Sequence, residues 1–112
     1  MLDTYDFLKE AEVNYLSTID GNKPSCRPFG VPVVYNNKIY VLTSKEKSVS
    51  KQISQNNNVC IVAYNNVNWI RINCKLIDDS ENIGAKEFFL TTFPDLLECG
   101  YSIDNPNMQV LY

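Results

Sequence analysis

The stretch VCIVAYNNVNWIRINCKLI, residues 59–77, carries the two clearest strand patterns in the sequence. VCIVAY (59–64) is apolar on both faces, which is typical of a central strand buried on both sides. In WIRINCKLI (69–77), apolar residues take every second position from Ile70 to Leu76, and the opposite face begins with Trp69 and is otherwise mostly polar. The stretch therefore predicts two strands, the first of them in the interior of a sheet.

Strand patterns also flank this stretch, at residues 13–19, 25–35, 38–43 and 108–112. The segment 25–35 contains Pro28 and Pro32. Because proline has no N–H to donate, this strand is expected to be bent, bulged or at a sheet edge. Asn36 and Asn37 predict a tight turn before the next strand.

Helical patterns separate some of these strands. They cover 3–11, the segment from Ser44 or Ser48 (either one a candidate cap) to about 56, and the segment from a cap at Ser80 to about 91. A further short turn is expected from Pro94 to Gly100. Five or six strands with a helix inserted and another near the end predict an α+β fold, mainly β with α. We expect a small β-barrel with helices packed outside it, as one domain over residues 1–112.

Composition excludes several classes of protein. The chain has 112 residues, of which 45% are hydrophobic, and a net charge of −3. An acidic chain without long basic runs does not favour a nucleic-acid surface, and no apolar run approaches the roughly 20 residues that span a membrane. Four cysteines without a C-x-x-C pair, together with the lack of a signal-peptide pattern, predict reduced thiols in a cytoplasmic protein. The sequence contains no histidine, the commonest general base and metal ligand.

Lysines gather at the start of the second predicted helix. TSKEKSVSKQ (43–52) contains Lys45, Lys47 and Lys51, although a helix start already carries partial positive charge. One interpretation is a solvated helix face balanced by Glu46. The other is an anion site, in which free N–H groups and lysines bind a phosphate with help from the hydroxyls of Thr43 and Ser44.

Two further residues stand out from their surroundings. Trp69 is an aromatic residue on a polar strand face, which suits either a core or dimer-interface position or a flat surface for a planar ligand, with Arg71 nearby. Arg27 lies in an otherwise apolar strand, where it needs either a salt bridge to an acid or a phosphate or carboxylate ligand.

Taken in order, these features resemble the pyridoxamine 5'-phosphate oxidase-like FMN-binding split-barrel family, and most of all its short bacterial, nitroimidazole-resistance-type branch. The motifs that carry the resemblance are RPFG (27–30), TSxxKxVxKQ (43–52) and the WIRI of 69–72. The resemblance implies a split β-barrel of about six mostly antiparallel strands with two or three packed helices. It also implies a homodimer that holds FMN at the subunit interface. Two departures are Cys74, at a position that is commonly Gly in the family, and a C-terminal strand region that is short relative to the family.

The resemblance also implies which residues bind the cofactor. Arg27 matches a phosphate- or ribityl-binding arginine, and the backbone from Pro28 to Gly30 matches the edge of the ring. Trp69 matches the position from which the partner subunit reaches the flavin. The implied cofactor-binding set is Arg27, Pro28, Phe29, Gly30, Leu42, Thr43, Ser44, Lys47, Ser48, Lys51 and Trp69.

For function, the resemblance implies an FMN-dependent oxidoreductase that passes electrons from NADH or NADPH to a small electrophile such as a nitro compound or quinone. No catalytic side chain and no metal site is predicted, and no counterpart of the substrate-binding basic residues of the true oxidases is present. The first alternative is a non-catalytic flavin-binding or flavin-free dimer that buffers cofactor, senses redox state or binds a partner. A haem-degrading variant of the barrel is the second, against which the lack of histidine counts.

Overall fold

The computed structural model describes residues 2–11, 13–30 and 32–112. Within these ranges the chain forms seven strands, three α-helices and one 3₁₀ helix. The strands are β1 Val13–Asp20, β2 Lys23–Phe29, β3 Val33–Tyr35, β4 Lys38–Ser44, β5 Asn58–Tyr64, β6 Trp69–Lys75 and β7 Met108–Leu111. The helices are α1 Leu2–Glu10, α2 Ser48–Gln55 and α3 Ile83–Thr92, followed by the 3₁₀ helix Pro94–Leu97. This confirms the predicted α+β split barrel of mostly antiparallel strands.

A four-stranded antiparallel sheet forms the larger part of the barrel, in the order β2-β1-β5-β6. The interior position of β5 in the sheet is the one that its apolar pattern predicted, but burial on both sides is not observed, since Tyr64 on its outward face is 52% exposed. Pro28 lies in β2, an edge strand, where a missing N–H breaks no ladder. The single predicted strand 25–35 is divided in two, since β2 ends at Phe29 and β3 begins at Val33 in a different sheet.

The second sheet has three strands, in the order β3-β4-β7. Asn36 and Asn37 join β3 to β4 with positive φ angles of 50° and 61°, as a two-residue hairpin turn requires, so the predicted turn is confirmed. Successive residues of β4 face opposite sides. Val41 belongs to the core between the two sheets, whereas Tyr40 and Leu42 pack toward α3.

Helix α2 packs Val49 and Ile53 into the core with Leu16 and Val59. It begins one residue after its N-cap, Lys47, and no side chain caps it. The prediction that Ser44 or Ser48 caps this helix was therefore wrong. The hydroxyl of Ser44 instead accepts a 3.4 Å hydrogen bond from the N–H of Glu46, within the turn that precedes the helix.

Helix α3 covers the other face of the second sheet, with Phe89 against Val33 and Tyr40. Its cap is Asn82, whose side-chain oxygen accepts from the N–H of Ala85 at 3.1 Å, and not the predicted Ser80. The reason is local, because the Ser80 hydroxyl donates to the carboxylate of Asp78. No helix in the described ranges is both long enough and apolar enough to cross a membrane.

Candidate functional site

The structure distributes the residues implied to bind the cofactor over four regions, and only three of these residues line a common cavity. Gly30, Leu42 and Lys47 line one cavity between β4 and α3. Arg27, Phe29 and Thr43 are on the core side of their strands, whereas Pro28 and Trp69 face outward from the larger sheet. The exposed start of α2 carries Ser48 and Lys51.

The cavity has a volume of about 410 Å³. That volume lies within the range of about 300–1,000 Å³ that is usual for small-molecule sites. Its walls are mostly apolar and aromatic, and Lys47 supplies a cation at its edge. The lining residues are Gly30, Leu42, Lys47, Phe89, Phe93, Asp95, Leu96, Cys99 and Tyr101. The apolar and aromatic walls suit a planar, apolar group, and Lys47 and Asp95 add one charge of each sign.

Lys47 connects the cavity to the start of α2. Its own N–H donates to the carbonyl of Ser44 at 3.0 Å, and its carbonyl accepts from Ser50 at 3.2 Å. Because no side chain caps α2, first-turn N–H groups of the helix keep donor capacity for an external acceptor. Lys47, Ser48 and Lys51 are all exposed, so the cations remain in solvent beside these groups. This combination attracts an anion.

Arg27 is held on the core side of the larger sheet by four hydrogen bonds to uncharged acceptors. Its Nη1 donates to the carbonyl of Leu16 at 3.2 Å and to Thr18 Oγ1 at 2.8 Å. Its Nη2 donates to Ser25 Oγ at 2.7 Å and to Gln52 Oε1 at 2.9 Å. In place of the salt bridge considered from the sequence, the guanidinium has neutral hydrogen-bond partners among the described residues.

Leu42 and Thr43 point to opposite sides of β4, so only Leu42 lines the cavity. The Thr43 side chain is 2% exposed, and its hydroxyl has no hydrogen-bond partner among the described residues. Its cross-strand neighbour Gln109 is also buried and leaves Oε1 without a partner there, although its Nε2 donates to Asp78 at 3.0 Å. Thr43 is therefore an interior residue, and its hydroxyl does not reach the cavity.

An outward-facing surface of the larger sheet, hereafter the outer face, carries Tyr15, Pro28, Val62, Tyr64 and Trp69. Trp69 is 60% exposed and lies directly across from Tyr64, which is 52% exposed. The guanidinium of Arg71 lies 5.9 Å from the centre of the Trp69 ring. A concavity of about 770 Å³ adjoins the same sheet near Cys60 and Asn73. The aromatic surface has no cover within the described chain.

The cysteines offer little chemistry to this site. All four are free, and burial, together with the nearby Cys60, raises the pKa of the Cys74 thiol. A raised pKa disfavours the nucleophilic thiolate. Cys26 is exposed on β2 and Cys99 is also exposed.

Sequence reasoning missed the residues that hold Arg27 and those that wall the cavity. An internal arginine needs acceptors, but which ones it finds depends on strand register. Register places Arg27 opposite Leu16 and next to Thr18, and the packing of α2 brings Gln52 to the same point. The aromatic residues of the cavity come from α3 and the segment after it, where no sequence pattern indicated a binding role.

No protein-family model and no curated protein matches the sequence. Solved structures do match. A NimC/NimA family protein from Clostridium acetobutylicum is 36% identical over all of this chain and 80% of its own, with a TM-score of 0.93. A pyridoxamine 5'-phosphate oxidase-related, FMN binding protein from Nostoc punctiforme is 18% identical, covers 98% of this chain and 73% of its own, and has a TM-score of 0.71. HutZ, a haem storage protein from Vibrio cholerae, is 14% identical, covers 98% of this chain and 85% of its own, and has a TM-score of 0.71.

The last two likenesses concern the fold alone, because their identities are low. The first extends to sequence over the whole chain and confirms the resemblance drawn from RPFG, TSxxKxVxKQ and WIRI. With its split barrel and this degree of identity, the chain belongs to the NimC/NimA family and shares its fold with pyridoxamine 5'-phosphate oxidase-like proteins.

Proposed function

We propose that this chain binds FMN without a covalent bond, as a homodimer, and transfers electrons from NADH or NADPH to a small electrophile such as a nitro compound or quinone. The observation that supports this most is the cavity of about 410 Å³ whose aromatic walls adjoin Lys47 and the uncapped start of α2. The FMN-binding protein from Nostoc punctiforme, which shares the fold, supports the choice of ligand.

The residues present fit the two parts of FMN. A phosphate needs cations and N–H donors, which Lys47, Ser48 and Lys51 supply at the start of α2. A planar ring needs an apolar slot, and Leu42 and Phe93 belong to the walls of one. When bound, FMN would supply hydride and electron transfer, the chemistry that side chains lack.

The chain's own residues would bind the phosphate, orient the ring and shield the ring from water. Lys47 and Lys51 offset the charge of the phosphate, and this removes their unfavourable interaction with the helix dipole. Leu42, Phe89 and Phe93 keep water from the ring, which strengthens electrostatic interactions within the cavity. No proton transfer is assigned to a side chain.

The homodimer is proposed from the outer face. Trp69 and Tyr64 lie across from each other and are 60% and 52% exposed, and a second copy of the sheet would cover both. A cytoplasmic location is part of the proposal, because four free cysteines suit a reducing compartment.

The test uses purified protein titrated with FMN while flavin absorbance and fluorescence are recorded. Bound FMN should bleach under anaerobic conditions when NADH or NADPH is added, and its absorbance should return with a nitroaromatic or quinone acceptor. Tight binding without bleaching by either donor would replace the reductase with a non-catalytic flavin-binding dimer. A protein that retains no FMN would overturn both functions.

A further inference from the structure

Gln52 joins α2 to two strands of the larger sheet through a single oxygen. Its Oε1 accepts from Nη2 of Arg27 at 2.9 Å and from the hydroxyl of Thr18. Thr18 is buried in β1, and Arg27 extends from β2. A side chain on α2 therefore meets the guanidinium at the junction of three elements.

What distinguishes this junction is that each acceptor of Arg27 in the described part of the chain is uncharged. The arginine donates to a backbone carbonyl, to two hydroxyls and to an amide oxygen. A half-buried arginine is usually compensated by a carboxylate, and a glutamate at position 52 would have the same shape as the glutamine that is present. The amide fixes the guanidinium without neutralising it.

The position of Gln52 on α2 relates Arg27 to the start of the helix. Gln52 follows Ser48 by four residues, so the two lie on one helix face. Four residues of α-helix rise about 6 Å. Arg27 therefore contacts α2 at a residue that lies one helical turn beyond Ser48.

We propose that Gln52 is a specificity-determining residue, which holds Arg27 in place while leaving its charge free to favour a phosphorylated ligand. This inference rests on the proposed function, since it concerns the phosphate of FMN. Gln52 itself is a positioning residue that acts through Arg27.

The decisive variant is Gln52→Glu, which keeps both acceptor contacts and adds one negative charge. We expect its melting temperature to be equal to or above that of the wild type, because Arg27 gains an ion pair. Its dissociation constant for FMN should rise about tenfold, which corresponds to about 1.4 kcal/mol. Its dissociation constant for riboflavin, which lacks the phosphate, should stay within about twofold. A purely structural role for Gln52 predicts no such difference between the two flavins.

Two further variants serve as a control and as an independent check of this test. Gln55→Glu adds the same charge to the same helix away from Arg27, and should leave the preference for FMN unchanged. Ser25→Asp places a carboxylate beside Arg27 from β2, since Ser25 Oγ lies 2.7 Å from Nη2, and should reduce the preference for FMN as Gln52→Glu does. It keeps the proposal testable if Gln52→Glu fails to fold.

The outcomes separate the two proposals. Wild-type protein that binds FMN, with Gln52→Glu and Ser25→Asp showing an unchanged ratio of FMN to riboflavin affinity, would overturn the role of Gln52 alone. Wild-type protein that binds neither flavin would overturn the proposed function and this inference with it.

Discussion

The hydroxyl of Tyr35 rests directly on Gly84, so closely that a Cβ built at Gly84 would lie 2.2 Å from the hydroxyl oxygen and 3.1 Å from Cζ. This contact joins β3 to the first turn of α3, the helix that walls the cavity. A side chain at position 84 would therefore have to displace the Tyr35 ring.

Gly84→Ala should lower the free energy of unfolding by about 1–3 kcal/mol, because overpacking outweighs the gain in helix propensity. Urea denaturation followed by circular dichroism measures the change. Gly30→Ala is the control, since a Cβ there meets nothing within 4 Å and should cost little. The double variant Gly84→Ala, Tyr35→Phe should recover part of the loss, and no recovery would contradict this explanation.

Tyr40 gives the fold a dependence on alkaline pH. Burial first, and then the 2.7 Å hydrogen bond to Asp79 and the charge of that carboxylate, raise the pKa of Tyr40 from 10.0 to about 12. A raised pKa in the folded state means that the stabilising contribution is complete below pH 10 and is lost as pH rises through about 12. Tyr40→Phe should lower stability at pH 7 by about 1–2 kcal/mol through the lost hydrogen bond.

The difference in stability between wild type and Tyr40→Phe should narrow from pH 10 upward, as measured by urea unfolding at several pH values. Tyr5→Phe, at a half-buried position on α1, is the matched control for the loss of a tyrosine hydroxyl. A difference that stays constant to pH 12 would show that Tyr40 does not contribute to alkaline sensitivity.

Lys47→Glu should weaken FMN binding by about tenfold or more, because it replaces a cation with an anion beside the expected phosphate. Fluorescence titration measures the dissociation constant. The control is Lys9→Glu on α1. Lys38 is less suitable as a control, because its Nζ lies 4.0 Å from the centre of the Tyr112 ring and contributes to packing. Equal dissociation constants for Lys47→Glu and Lys9→Glu would refute the phosphate assignment.

Trp69→Ala should loosen both the proposed dimer and its flavin, because it removes the largest exposed aromatic side chain of the outer face. Elution volume in size-exclusion chromatography reports the first effect and flavin fluorescence the second. Val67→Ala, in the turn between β5 and β6, tests whether any exposed apolar residue near this edge has the same effect. Unchanged elution and fluorescence in Trp69→Ala would contradict the proposal.

Local rules predicted the parts of this fold that depend on neighbours in sequence. The apolar run of β5 indicated an interior strand, and Asn36 with Asn37 indicated the hairpin turn, because each property is set within a few residues. The cap of α3 was misplaced by two positions, since Ser80 and Asn82 are both good caps and the carboxylate of Asp78 decided between them.

Properties that depend on strand register could not be predicted from the sequence. The four acceptors of Arg27 come from β1, β2 and α2, and nothing in a one-dimensional pattern states that these will meet. The same holds for Leu42 and Thr43. The resemblance implies that both bind the cofactor, but they point to opposite sides of the strand, so only Leu42 lines the cavity. In a cofactor-binding motif of consecutive residues, some residues therefore line the site with backbone atoms and others with their side chains.

The pairing of β4 with β7 has a consequence for how the molecule assembles. Thr43 is paired with Gln109, so nearly all of the chain's second half must be in place before this ladder closes. Closing so long a loop costs entropy before any new contact compensates for that cost, and such non-local pairing slows folding. We expect the hairpins β1–β2 and β5–β6 to form early, and the cavity between β4 and α3 to acquire its shape among the last steps.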